Sequence, residues 1–249
     1  MYIAAIPGDS YHKSVATAVE LAKAGFVPTP HIAARNIASF TQLNDFLMRL
    51  KGEAGVTRAL VIAGDAEHPV GPYGSSLALL QTGAFQKRGI TQVGIACYPE
   101  ASPRVGQALL EVALKDKIAF LAREGFDAWL VSQFCFDAAA IVALARKLRA
   151  EGVTLPLRVG LTGPADIRTV WKYALHCGIG NSMRALGTRV DAISNLLVRH
   201  TPDAIMAELA AAHRANPAFG IAGMHFFAFG GIAGTAGWAK GVLAAAPPH

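Results

Sequence analysis

The stretch "DAWLVSQFCFDAAAIVALARKLRAEG", Asp127 to Gly152, decides how the whole chain is read. Its first part, "AWLVSQF" (Ala128–Phe134), is a continuous apolar run interrupted only near its end by Ser132 and Gln133. A run apolar along its length fits a strand covered on both faces. Asp137 then precedes "AAAIVALARKLRAEG", whose apolar spacing is helical, and an aspartate there is a good helix N-cap. Gly152 stands where that helix should stop. The unit is a strand, a short loop and a helix.

The same unit recurs on both sides. "YIAAI" (Tyr2–Ile6), "VPTPHI" (Val27–Ile32), "ALVIAG" (Ala59–Gly64), "QVGIACY" (Gln92–Tyr98), "LRVGL" (Leu157–Leu161) and "MHFFAF" (Met224–Phe229) all read as strands. Helical patterns follow them, including "SSLALLQTGAFQKRG" after the third run, and Gly25, Gly89, Gly125 and Gly178 mark further helix ends. A further helical pattern, "TPDAIMAELAAAHRANPAFGIAG", precedes the last strand. Strands alternating with helices imply a mostly parallel sheet. Seven strand–helix units are read, one short of a (β/α)8 barrel. The 249 residues suit such a barrel, which uses about 250 residues as one domain. A single domain over residues 1–249 is expected.

Bulk properties narrow the function. The chain is 53% hydrophobic and 16% charged, enough to bury a sizeable core. It has no uncharged apolar run of about 18 residues, and no basic-then-apolar leader opens it, so a cytoplasmic protein without a membrane partner is expected. Cys97, Cys135 and Cys177 are far apart and form no CxxC pair, which argues against a disulfide framework or a structural zinc site. Small buried packing residues are the simpler reading of Cys97 and Cys135. The net charge of +6 suits anionic ligands such as phosphorylated cofactors and polycarboxylates. Scattered basic residues without interleaved aromatics do not make a nucleic-acid surface.

Ligands of such sheets bind at the C-terminal ends of the strands. The polar residues there are His31, Gly64 with Asp65, Tyr98 with Glu100, Ser132 with Gln133, and His225 with Gly230 and Gly231. Gly64 lets the backbone approach a planar or phosphorylated ligand, and Asp65 can accept hydrogen bonds; a turn or capping aspartate reads equally well. Tyr98, held out of helical geometry by Pro99, offers a ring platform or packs under a loop. A buried glutamine must satisfy up to four hydrogen bonds, so Gln133 either faces a ligand or serves the interior. The histidines match no metal spacing. No GxGxxG, Walker or Gly-x-Ser-x-Gly motif occurs.

Taken in order, "PHIAAR", "IAGD", "YGSSL", "ACYPEASP", "LKDK", "SQFCFD" and the late "HFFAF" resemble the methylenetetrahydrofolate reductase family. The resemblance spans nearly the whole chain. It implies a (β/α)8 barrel of the TIM type carrying FAD, which interconverts 5,10-methylene- and 5-methyltetrahydrofolate with NAD(P)H. By the resemblance, His31, Gly64, Asp65, Tyr73, Tyr98 and Lys117 would hold FAD. Asp65 and Gln133 would be the catalytic pair, Gln133 and Phe134 would bind the folate, and no metal is implied. The first strand of this chain corresponds to the family's second. A barrel lacking its first β/α unit, and with it the family's general-acid glutamate, is therefore expected, with a homo-oligomer or a complex subunit as the way its edges are covered. Where the family has Arg-Gly-Asp this chain has Ala63-Gly64-Asp65; Ser102 replaces a histidine, and Ile6 and Gly231 stand where a threonine and an arginine are usual. Those departures favour an alternative, a folate-binding paralogue without redox chemistry.

Overall fold

The computed structural model describes residues 1–6, 8–100, 105–177, 179 and 199–245. Ser102 and Gly178, singled out above, lie outside them. The seven expected strands are all present: β1 (Tyr2–Ile3), β2 (Thr29–Ala33), β3 (Arg58–Ile62), β4 (Gln92–Cys97), β5 (Asp127–Ser132), β6 (Leu157–Thr162) and, last in the chain, β9 (Ile221–Phe227). They form one sheet in the order β1-β2-β3-β4-β5-β6-β9. Pairing is parallel from β1 through β4 and from β5 through β9. Between β4 and β5, the Asp127 N–H donates to Thr91 O at 3.0 Å and the Gln133 N–H to Cys97 O at 2.9 Å. Both bonds join residues with the same separation along the chain, so this pair is parallel too. The alternation of apolar runs and helical patterns thus yields an α/β fold on a parallel seven-stranded sheet.

Chain contacts gather into two compact units, Met1–Ala96 with Val112–Trp129, and Cys97–Glu111 with Leu130–His249. In the first, α1 (Tyr11–Lys23) packs on α2 (Phe40–Ala54). Helix α2 buries Leu43, Phe46, Leu47, Leu50 and Ala54, a single stripe at helical spacing. Its start is fixed by Ser39, whose Oγ accepts from the Gln42 N–H at 3.1 Å, while Gln42 Oε1 accepts from the Ala38 N–H. The Tyr11 hydroxyl donates to Asp45 Oδ2 at 2.7 Å and ties the two helices. On the sheet, the Trp129 ring covers Gly94, where a Cβ would stand 2.6 Å from it, and its Nε1–H donates to the Tyr2 hydroxyl at 3.0 Å.

The continuous helix expected after β3 is in fact two short ones, α3 (Ser76–Leu80) and α4 (Ala84–Lys87). Thr82 and Gly83 separate them. The Thr82 hydroxyl donates to Leu79 O at 2.7 Å and its oxygen caps the Ala84 N–H at 3.3 Å, so a side chain takes the place of a helical bond. Strand β1 is also shorter than "YIAAI" suggests, pairing at Tyr2 and Ile3 only, with Ile6 exposed. Helix α5 (Gln107–Arg123) leads to β5.

The second unit holds α6 (Ala138–Ala150), α7 (Ile167–Cys177), α8 (Asp203–Ala215) and α9 (Ile232–Ala245) around β6 and β9. Asp137 caps α6 as expected, its Oδ1 accepting from the Ala139 N–H at 2.8 Å. A small antiparallel pair, β7 (Ala165–Asp166) with β8 (Arg199–His200), was not legible in the sequence. The expected helix ends at Gly25, Gly89, Gly125 and Gly152 all show positive φ.

Candidate functional site

In the first unit, the chain after β2 and the loop after β3 are built around Arg35. Its N–H donates to Ala63 O at 2.9 Å, and its carbonyl accepts from the Val70 N–H at 2.9 Å. Its guanidinium donates to Ala66 O at 3.0 Å and Gly74 O at 3.2 Å. This arginine holds both sides of the loop that carries Asp65. Gly64 turns that loop at φ +93°, and a Cβ there would stand 3.0 Å from the Ala33 Cβ. The close approach that Gly64 permits is therefore already made by β2's own end. Asp65 itself is exposed. His31 is half-buried, its ring edge-on to Tyr2 at 5.9 Å.

Tyr73 and Lys117 offer less surface than the resemblance implies. Tyr73 is 9% exposed and Lys117 8%. The Lys117 ammonium donates to Ala96 O, on β4, at 3.4 Å. A cation placed this way already spends a hydrogen bond on the backbone.

In the second unit, the end of β5 separates Ser132 from Gln133. Ser132 is structural: its Oγ accepts from the Gly160 N–H of β6 at 2.8 Å and donates to Gln133 O at 3.0 Å. Gly160 is required there, because a Cβ would meet Ser132 O at 2.3 Å. Gln133 is half-buried, and its Oε1 accepts from the Phe134 N–H at 3.0 Å. The carbonyl is pinned to the chain. The amide NH2 makes no hydrogen bond among the described residues.

Phe134 is 1% exposed and sits in an apolar cluster with Phe136, Ala165, Ile167, Val170 and Ala174. The rings of Phe136, Phe227 and Phe229 lie 5.9, 5.2 and 5.1 Å from its own. It has almost no surface to give a ligand; its role in this structure is packing. The ring beside it that does reach outward is Tyr173, exposed and stacked on Phe229 at 4.0 Å and 7°.

Tyr98 is half-buried after β4. Two residues on, Glu100 Oε1 faces the Cys135 thiol at 3.6 Å, and that sulfur also accepts from the Asp137 N–H at 3.4 Å. Glu100 Oε2 is buried with no hydrogen-bond partner among the described residues, and so is Thr162 Oγ1 at the end of β6. His225, on β9, is 7% exposed, and its ring meets Phe227 edge-on at 4.8 Å. Burial first, and the nearby Arg158 charge second, push its pKa down to about 4. It is a neutral imidazole at neutral pH. Among the described residues no three His, Cys, Asp or Glu side chains gather in a way that would hold a metal, and no helix is long and apolar enough to cross a membrane.

Arg35 and Thr162 are the residues the sequence did not mark as site residues, and Glu100 was noted beside Tyr98 without a role of its own. Arg35 closes "PHIAAR", so its position was visible but its loop-holding role was not. Thr162 directly follows "LRVGL", where a threonine reads as an ordinary strand former. No protein-family model matches the chain.

Proposed function

We propose that this chain is an oxidoreductase of the methylenetetrahydrofolate reductase type, built on a TIM-like barrel, which interconverts 5,10-methylene- and 5-methyltetrahydrofolate. The observation that carries the reading is Gln133. Its carbonyl is satisfied by its own chain and its NH2 is left as a fixed donor at a strand's C-terminal end. Such a donor suits the ring carbonyl of a pterin. Strand order following chain order is also what a singly wound barrel has, whereas a doubly wound sheet reverses it.

Bound FAD, reduced by NAD(P)H, would supply the hydride chemistry. The chain's own residues bind and orient. Tyr98 keeps ring surface just after β4, His31 is half-buried in the middle of β2, and the exposed Asp65 carboxylate, on a loop that Arg35 holds in place, would accept N–H groups of the ligand. The fit to FAD is partial, since Tyr73 and Lys117 are buried and the Lys117 ammonium is engaged with Ala96 O. That observation favours one alternative, a folate-binding paralogue or complex subunit that does no flavin chemistry.

Titration calorimetry with 5-methyltetrahydrofolate tests what both readings share. Gln133→Ala and Asp65→Asn should each weaken binding about tenfold, the loss of one hydrogen bond to a ligand, with melting curves close to wild type. Variants that melt early yet bind as wild type would make both residues structural and defeat the reading.

A further inference from the structure

Glu100 after β4, Gln133 after β5 and Thr162 at the end of β6 all belong to the second unit, and each has a polar atom with no hydrogen-bond partner among the described residues. After β4 stands Glu100, with one carboxylate oxygen held by the Cys135 thiol and the other buried and unmatched. After β5 stands Gln133, with its carbonyl tied down and its NH2 unmatched. At the end of β6 stands Thr162, 2% exposed, its hydroxyl unmatched among the described residues. A native interior leaves few such groups, and each calls for a reason. Leaving a buried polar group unpaired costs stability. Two neighbouring buried instances, Glu100 Oε2 and Thr162 Oγ1, with the open Gln133 NH2 on the strand between them, are more economically explained by one shared partner than by separate defects.

Local bonds fix these groups beside one another. The Gln133 N–H donates to Cys97 O, which ties the end of β5 to the end of β4 three residues before Glu100. Cys135, two residues after Gln133, reaches Glu100 directly. On the other side, the Gly160 N–H bonds Ser132 Oγ, and a Cβ at Gly160 would also meet Gln133 C and Phe134 N at 2.9 Å. Gly160 and Thr162 share one face of β6 by the two-residue strand period. Thr162 thus lies on the face that meets the turn carrying Gln133.

We propose that Glu100 and Thr162 join Gln133 in binding the edge of one flat heterocycle. The Glu100 carboxylate only accepts, so it takes an amine and a ring N–H; the Gln133 NH2 only donates, so it takes a ring carbonyl; the Thr162 hydroxyl serves a ring nitrogen. An acceptor beside a donor is the complement of a 2-amino-4-oxopyrimidine edge. Naming that edge a pterin rests on the folate reading above; the donor–acceptor order does not. Cys135 is a positioning residue, holding Glu100 in place.

The test compares pterin with lumazine, which carries a 2-oxo group in place of the 2-amino group, by calorimetry on the full chain, alongside 5-methyltetrahydrofolate. Wild type should prefer pterin by tenfold or more. Glu100→Gln, which can donate to a 2-oxo group, should erase most of that preference. Thr162→Val should weaken pterin and 5-methyltetrahydrofolate binding about two- to tenfold while raising the melting temperature, because it removes an unsatisfied buried hydroxyl. If wild type binds 5-methyltetrahydrofolate but Glu100→Gln keeps the wild-type preference and Thr162→Val binds normally, the assignment of these two residues is overturned and the folate reading survives. If wild type binds none of the three, both fall.

Discussion

Acid should destabilise this fold well above the pH at which carboxylates titrate, and His225 should be the main cause. In the folded chain its pKa is pushed down to about 4, chiefly by burial. Unfolded, it returns to about 6.5. Between those values the unfolded state binds a proton that the folded state refuses. Stability therefore falls as pH falls through that window, and is fully present above it. The gap of about 2.5 units corresponds to about 3 kcal/mol. His200, whose pKa burial also lowers against a smaller opposing pull from Asp203, adds loss of the same sign. Urea unfolding followed by tryptophan fluorescence at pH 7.5, 6.5, 5.5 and 4.5 would read the slope. Wild type should lose most of that amount by pH 4.5. His225→Gln, which has no titrating ring, should be less stable at pH 7.5, because it loses the packing on Phe227, but should show a flatter dependence on pH. Parallel curves for the two proteins would refute the reasoning, since the slope would then belong to other groups.

Ser132→Ala removes the acceptor of the buried Gly160 N–H and should lower stability by about 1–3 kcal/mol, measured by chemical denaturation. It should do so without weakening ligand binding at pH 7.5 beyond what partial unfolding explains. Arg35→Met should release the loop that carries Asp65, because two carbonyl contacts, at Ala66 and Gly74, disappear. Limited proteolysis should then cut within residues 63–75 faster than in wild type, while the global melting temperature moves by only a few degrees.

The strands were legible because each is a mostly apolar run between turn and helix signals, and the helix ends because glycine follows them. The Thr82–Gly83 break was not, since a threonine bonding back to Leu79 is a local choice that hydrophobic spacing does not encode. The two polar residues of "AWLVSQF" show the limit most clearly. Ser132 and Gln133 look alike in the sequence, yet one bridges to β6 and the other leaves a donor open. What separates them is Gly160, far along the chain, whose N–H takes Ser132 and whose missing Cβ lets the strand ends meet. Phe134 stood next to Gln133 and shared its expected role, but two of the three rings that enclose it come from β9 and its following turn, far along the chain. Glu100 was noted beside Tyr98; its importance depends on Cys135, which composition reads as a small packing residue.

The central proposal is most directly tested by the visible spectrum of the protein after incubation with FAD and desalting, recorded anaerobically before and after NADH and then methylenetetrahydrofolate. The account predicts a retained yellow flavin that NADH bleaches and the folate restores. A colourless protein that releases all its FAD would contradict the flavoenzyme reading, and binding of 5-methyltetrahydrofolate by that colourless protein would establish the non-redox alternative in its place.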